Sequence, residues 1–261
     1  MKNFLLTEKF TAFTLAEVII TIGIIGVVAA MTLPSIITNY RIKQHEAAFK
    51  RADALIQQAI KKSLFEMGYS DISEVNIAKW SYDPNYNAQM EQSVAELNKI
   101  FLKQFKGIKK MPECSDLYFS TEIKQEYFFG EPPNGRCYMS ETGHINSHYN
   151  TYLLSNGMAI SELGWRSKTN EKSHYFAGIQ VSFDTNGPYK GPNRIGHDIF
   201  TYVSLQRATD VMCNPLIEHS RNWMGCYFFA QKNQNPLNAS EPYWKMLYTP
   251  LSYWQNYNKK K

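Results

Sequence analysis

The sequence predicts an α+β fold in which one long N-terminal helix packs on an antiparallel β-sheet with additional loops. Three observations predict it. Residues 18–37 contain no charged side chain, and helical spacing of apolar residues continues past them to about Met67. From about residue 115 onward the pattern becomes strand and turn. Within that part, "TYLLSNGMAISEL" sets Asn156-Gly157 between two apolar runs, a pair that suits a tight hairpin because both residues tolerate positive φ.

The uncharged run holds 20 residues, so as a helix it would be about 30 Å long, close to the hydrocarbon thickness of a bilayer. Gly23, Gly26, Ala29 and Ala30 give it a small-residue stripe, which permits close helix approach in lipid. Pro34 removes one backbone donor and loosens the helix there. Three ordinary readings compete: a single-span anchor, a secretory signal cut near "VVAAM", or a buried soluble helix. A buried helix this uniformly apolar would need protein on every side. A signal peptide accounts for Lys2, Lys9 and the small residues but leaves Glu17 unexplained. That carboxylate stands at the rim of the run, where the positive end of the helix dipole favours it.

Beyond the run, Phe49, Ala52, Ile56, Ala59, Ile60 and Leu64 recur at helical spacing. Lys50, Arg51, Asp53, Gln57, Lys61 and Lys62 take the other face. Gly68 marks the stop. Residues 69–86 read as loop, with Asp83-Pro84 as a breaker. A second helix is predicted over 88–105 through Met90, Val94, Leu97, Phe101 and Leu102. "AGIQVSF" and "DIFTYVSL" alternate as half-buried strands do.

Composition sets outer limits. A length of 261 residues accommodates one or two domains, and 44% apolar with 20% charged residues describes a folded chain. The net charge is +5, with Lys and Arg scattered apart from Lys259, Lys260 and Lys261. That distribution does not mark a nucleic-acid binder. The 17 Tyr, 15 Phe and 5 Trp serve cores and interfaces equally.

Cys114, Cys137, Cys213 and Cys226 allow three pairings. Nearest-neighbour pairing closes two loops of moderate length, each contributing roughly 3 kcal/mol; four buried free thiols are the alternative. The absence of a CxxC pair argues against a zinc ribbon. In "VSFDTNGPYKGPNRIGHDIFTY", Asp184, Asn186 and Asp198 offer hard oxygen ligands, and the glycines let carbonyls turn inward, as calcium prefers. The same segment also reads as a connection whose Asp and Asn side chains cap turns. It lacks the EF-hand spacing.

Support for catalysis is slight. His144 and His148 lie in the loop-like "ETGHINSHYNTY", and no phosphate loop or nucleophile elbow occurs; no enzyme is expected. "EPYWKMLYTPLSYWQNYNKKK" combines rings and charge, which could hold single-stranded nucleic acid or sugars, though docking of the rings on the sheet explains it more simply.

A short polar leader followed by "AFTLAEVIITIGIIGVVAA" resembles the class III signal of type IV pilins and type II secretion pseudopilins over residues 1 to about 50. The resemblance implies a prepilin peptidase cut between Ala12 and Phe13, with methylation of the new terminus at Phe13. Glu17 then becomes the fifth mature residue and Pro34 the twenty-second, as is usual in that family. Ala12 departs from the family's glycine. The implied organisation is a leader (1–12), a hydrophobic transmembrane and assembly helix (13–38), its amphipathic continuation (39–67), and an extracytoplasmic globular α+β domain (68–261).

The family's orientation in the bacterial inner membrane places that domain outside the cytoplasm. Counting Lys2 and Lys9 against Arg41, Lys43, Lys50 and Arg51 would place it inside. In such filaments Glu17 would meet the Phe13 amine of a neighbouring copy, and the partners would be copies of the chain, other pilin-like subunits, prepilin peptidase and an inner-membrane assembly platform. The segment around Asp184 is similar to the calcium-binding strand-loop-strand of major pseudopilins; calcium is the only cofactor suggested. Removing residues 1–12 of 261 leaves 249 and lowers the charge from +5 to +4, a length that suggests a minor component. Nucleic acid is not expected as a partner. A membrane-anchored binding protein that never polymerises and a DNA-uptake pilin are the alternatives.

Overall fold

The computed structural model describes residues 14–75, 84–111, 150–166, 177–205, 213 and 226–258. It divides into two units, Met1–Ile42 and Lys43–Lys261.

The first unit carries the start of α1 (Leu15–Glu66). Its aliphatic side chains face outward: Ile22 is 64% exposed and Ile25 66%. The helix is long and apolar enough to cross a membrane. Pro34 lies inside the helix without ending it. Two of the hydroxyls of this segment are satisfied within it, Thr21 donating to the Glu17 carbonyl at 2.9 Å and Thr32 to that of Val28 at 2.9 Å. A helix entering hydrocarbon has to meet that condition, because lipid supplies no hydrogen-bond partners.

In the second unit the remainder of α1 buries Phe49, Ala52, Ile56, Ala59, Ile60 and Leu64, the stripe its spacing predicts. Asp53 and Gln57 depart from the expected solvated face: both are half-buried and bonded to Tyr227. The helix ends where Gly68 adopts φ 82°. There Gly68 N–H donates to the Phe65 carbonyl at 3.0 Å and Tyr69 N–H to that of Leu64 at 2.9 Å, a paired closure that a glycine after the last turn allows. A 3-10 turn follows at Ile72–Glu74.

The second helix, α2, spans Pro84–Lys103 and so begins inside the segment read as loop. Proline breaks a helix only in its interior; at the first position its missing N–H has no partner to lose. Val94, Leu97 and Phe101 bury the inner face of α2.

Six strands follow: β1 (Lys109–Lys110), β2 (Thr151–Leu153), β3 (Ala159–Ser161), β4 (Gly164–Arg166), β5 (Ala177–Asp184) and β6 (Ile199–Leu205). All pairings between them are antiparallel. β2 and β3 form the hairpin expected at Asn156-Gly157, with Gly157 at φ 88°. β3 pairs with β5 near Phe183 and β4 pairs with β5 near Ile179, the register slipping by one residue between them. They are thus two segments of one strand interrupted by a bulge. The bulged backbone is not left unpaired: Glu162 N–H donates to the Asn150 carbonyl and Leu163 N–H to Asn98 Oδ1 of α2. β6 lies on the opposite edge of β5.

Phe49 of α1 packs on this sheet, its ring 4.7 Å from Phe200 and 6.1 Å from Phe183. Three short helices complete the unit: α3 (Cys226–Lys232), α4 (Tyr243–Met246) and α5 (Leu251–Asn258). Trp244 of α4 stands 5.4 Å from Phe49, and Tyr243, Trp244 and Trp254 are buried in the core while Tyr253 is exposed. Cys213 is bonded to Cys226 across a separation of 13 residues. Cys114, Cys137, His144, His148 and Lys259 to Lys261 lie outside the described residues. The architecture is α+β.

Candidate functional site

Two places gather the residues singled out in the sequence. The first is the beginning of α1. Thr14 precedes the helix and Glu17 is its third residue, the spacing at which the two side chains can close each other's turn. Thr14 N–H and its hydroxyl both donate to Glu17 Oε2 at 2.8 Å, while Glu17 N–H donates to Thr14 Oγ1 at 3.3 Å. The local role that the helix dipole favours is therefore present in the single chain. Thr14 is legible as a Thr-x-x-Glu pattern, a signal the sequence reading passed over. Ala12 and Phe13 lie outside the described residues.

The second place is the connection between β5 and β6. Asp184 ends β5 and Asp198 directly precedes β6, both fully buried. The loop is closed at its base by Thr185 N–H donating to the Asp198 carbonyl at 2.9 Å. Asp184 Oδ1 accepts from the N–H groups of Asn186 (3.0 Å) and Gly187 (2.9 Å). Asp198 accepts from Asn193 N–H at Oδ2 (2.9 Å) and from Arg194 N–H at Oδ1 (2.6 Å). Burial, and then the neighbouring Asp184 charge, push the Asp198 carboxyl above the usual carboxylate range. The turn-capping reading is thus realised in these hydrogen bonds.

Two further oxygens bear on a ligand. Asn186 Oδ1 and Asn193 Oδ1 are buried and have no hydrogen-bond partner among the described residues. Asn193 escaped the sequence reading; it sits at φ 51° and holds the loop by donating from Nδ2 to the Pro188 carbonyl at 2.7 Å. A buried acceptor left unsatisfied costs about 1–3 kcal/mol, and two such oxygens in one loop with two buried carboxylates are donor types suited to a hard cation. Among the described residues no group of three or more His, Cys, Asp or Glu is gathered for a metal, so amide oxygens would have to complete any coordination.

The loop is also held from outside. Tyr243, fully buried, donates its hydroxyl to the Gly196 carbonyl at 2.6 Å. At the other end Gly187 abuts the β2–β3 turn so closely that a Cβ there would stand 2.0 Å from the Gly157 carbonyl oxygen. Both contacts restrict the loop to one path.

Comparison of the chain with family models, with curated proteins and with solved structures finds no match in any of the three.

Proposed function

We propose that the chain is a pilin-like or pseudopilin subunit, cut by a prepilin peptidase between Ala12 and Phe13, methylated at Phe13, held in the inner membrane with its C-terminal domain outside the cytoplasm, and drawn into a type IV pilus or type II secretion pseudopilus as a minor component. The observation that carries this reading is the first part of α1. It is a helix whose apolar side chains stand outward and whose Thr21 and Thr32 hydroxyls bond to its own backbone, with one carboxylate at its rim. In lipid an acid at that depth costs several kcal/mol unless paired, and the freshly exposed Phe13 amine of another copy is a chemically suitable partner. Within one chain Thr14 satisfies Glu17; on assembly the amine would displace neutral donors by charge.

Disulfide trapping in cells tests this. Cysteines placed beside Phe13 and beside Glu17 on different copies should crosslink, and the crosslink should vanish when the peptidase is absent. A monomer that never crosslinks would indicate a single-span membrane-anchored binding protein.

A second reading concerns calcium, favoured by the orphaned Asn186 and Asn193 oxygens. Asp184, Asn186, Asn193 and Asp198 would hold the ion, which would supply the positive charge these buried acceptors lack. Millimolar calcium should raise the melting temperature, and Asp198→Ala should abolish the rise. An unchanged melting temperature would remove calcium from the account.

A further inference from the structure

The lysines that look scattered in the chain are brought together by the fold. Lys61 and Lys62 are exposed on the last turns of α1, and Lys99 and Lys103 are exposed one turn apart on α2. A side-chain bond from Gln104 Nε2 to Glu66 Oε1, 2.8 Å long, holds the C-terminal ends of the two helices against each other. The chain then continues directly through exposed Lys106 to β1, where Lys109 and Lys110 are also exposed. The acids nearby are Glu66, which accepts from the neutral Gln104 amide, Glu96 on the preceding turn of α2, and the exposed Asp71 and Glu74 just beyond α1, fewer than the lysines. The ion pair Glu46–Lys50 is elsewhere.

An aromatic ring stands in this field. Phe65 is 82% exposed on α1, where Lys61 and Lys62, four and three residues before it, lie on the same face of the helix. The phenyl ring is thus held out of the core beside two ammonium groups, with its face open to a stacking partner.

We infer that this surface binds single-stranded nucleic acid without sequence preference. The lysine ammoniums serve as point charges for phosphates, and the Phe65 ring stacks on a base; every base has a π-face, so the pairing tolerates any sequence. An unpaired strand is favoured over a duplex, in which the bases are already stacked and cannot reach the ring. The absence of arginine from this patch fits phosphate contact without bidentate base readout.

The test uses the full-length chain in zwitterionic detergent and fluorescence anisotropy of a labelled oligothymidylate. Binding is expected to weaken steeply with salt, log Kd rising with log salt by about 0.7 for each phosphate neutralised. Lys103→Glu combined with Lys106→Glu should weaken binding at least about tenfold and flatten the salt slope. Phe65→Ala should weaken the oligonucleotide about tenfold while leaving inorganic polyphosphate binding unchanged. Melting curves establish that the variants fold, and Lys99→Glu serves as a second charge reversal should the double variant unfold. The inference is overturned by any of three results: no salt-dependent binding, folded charge-reversal variants that bind as the wild type does, or displacement of the oligonucleotide by alginate more effectively than by unlabelled DNA. The last result would assign the surface to an acidic polysaccharide. None of these outcomes bears on filament assembly, which the crosslinking experiment reads separately.

Discussion

The hydroxyl of Tyr227 donates to Oδ1 of Asp53, tying α3 to the middle of α1. Gln57 and Gln231 each donate to the same phenol oxygen, at 3.1 and 3.2 Å, and Gln57 also donates to Asp53 at 2.9 Å. Burial and the hydrogen bond to Asp53 raise the Tyr227 phenol well above its ordinary pKa, so it stays a donor throughout the physiological range. Tyr227→Phe keeps the ring packing but leaves the half-buried carboxylate short of a partner. A loss of about 1–3 kcal/mol is expected in urea unfolding. Adding Asp53→Asn to Tyr227→Phe should recover part of it, because the uncompensated charge is then gone.

The disulfide immediately before Tyr227 secures the same helix. Cys213 and Cys226 close a loop with a separation of 13 residues, which restricts the unfolded chain by roughly 3 kcal/mol. Replacing both by alanine should lower stability by about that amount in urea titrations of the otherwise intact chain. A change close to zero would mean that α3 is held by Tyr227 alone.

Gly187 meets two demands at once. Its φ of 80° disfavours side chains, and a Cβ would collide with the Gly157 carbonyl. Gly187→Ala is expected to lower stability by at least about 2 kcal/mol. Gly157→Ala has the same backbone demand but open space around its Cβ, so it should cost less. Thermal melts of the pair compare strain alone with strain plus collision.

Glu17 separates local from intermolecular chemistry when its charge is removed but its shape retained. Glutamine can still close the first turn with Thr14, so Glu17→Gln should leave helix content unchanged by circular dichroism. If the carboxylate's charge recruits a neighbouring amine, assembly should fall as far with glutamine as with alanine. Normal filaments with glutamine would reduce Glu17 to a cap.

The β5–β6 loop also gives a pH signature. His197 is pushed down to about 3 by burial and then by the Arg194 and His45 charges. Below about 6.5 the unfolded chain takes up a proton that the folded ring refuses, so this residue's contribution is complete above that pH and is lost as pH falls toward 3. Asp198 is shifted the other way. Between its unfolded value of 3.8 and its raised folded value, the folded chain holds more protons, so its contribution favours folding as pH falls. The wild-type stability profile should therefore be shallow from pH 7 to 4. Of these two contributions His197→Gln leaves only that of Asp198, so on acidification its stability should rise relative to the wild type.

Local and periodic features are readable from the chain alone. The apolar run, the buried stripe from Phe49 to Leu64, the stop at Gly68 and the hairpin at Asn156-Gly157 each follow from spacing or from one residue's conformational freedom. Pro84 misleads because proline's effect depends on whether it opens or interrupts a helix. Asp53 misleads because a half-buried carboxylate looks like a surface one until a phenol from far along the chain arrives to bond it. Asn193, the bulge between β3 and β4, and the lysine surface around Phe65 have no local signature either. These emerge in the folded chain alone, because each depends on groups distant in sequence being brought within a few ångströms, where hydrogen bonding, steric exclusion and charge summation act.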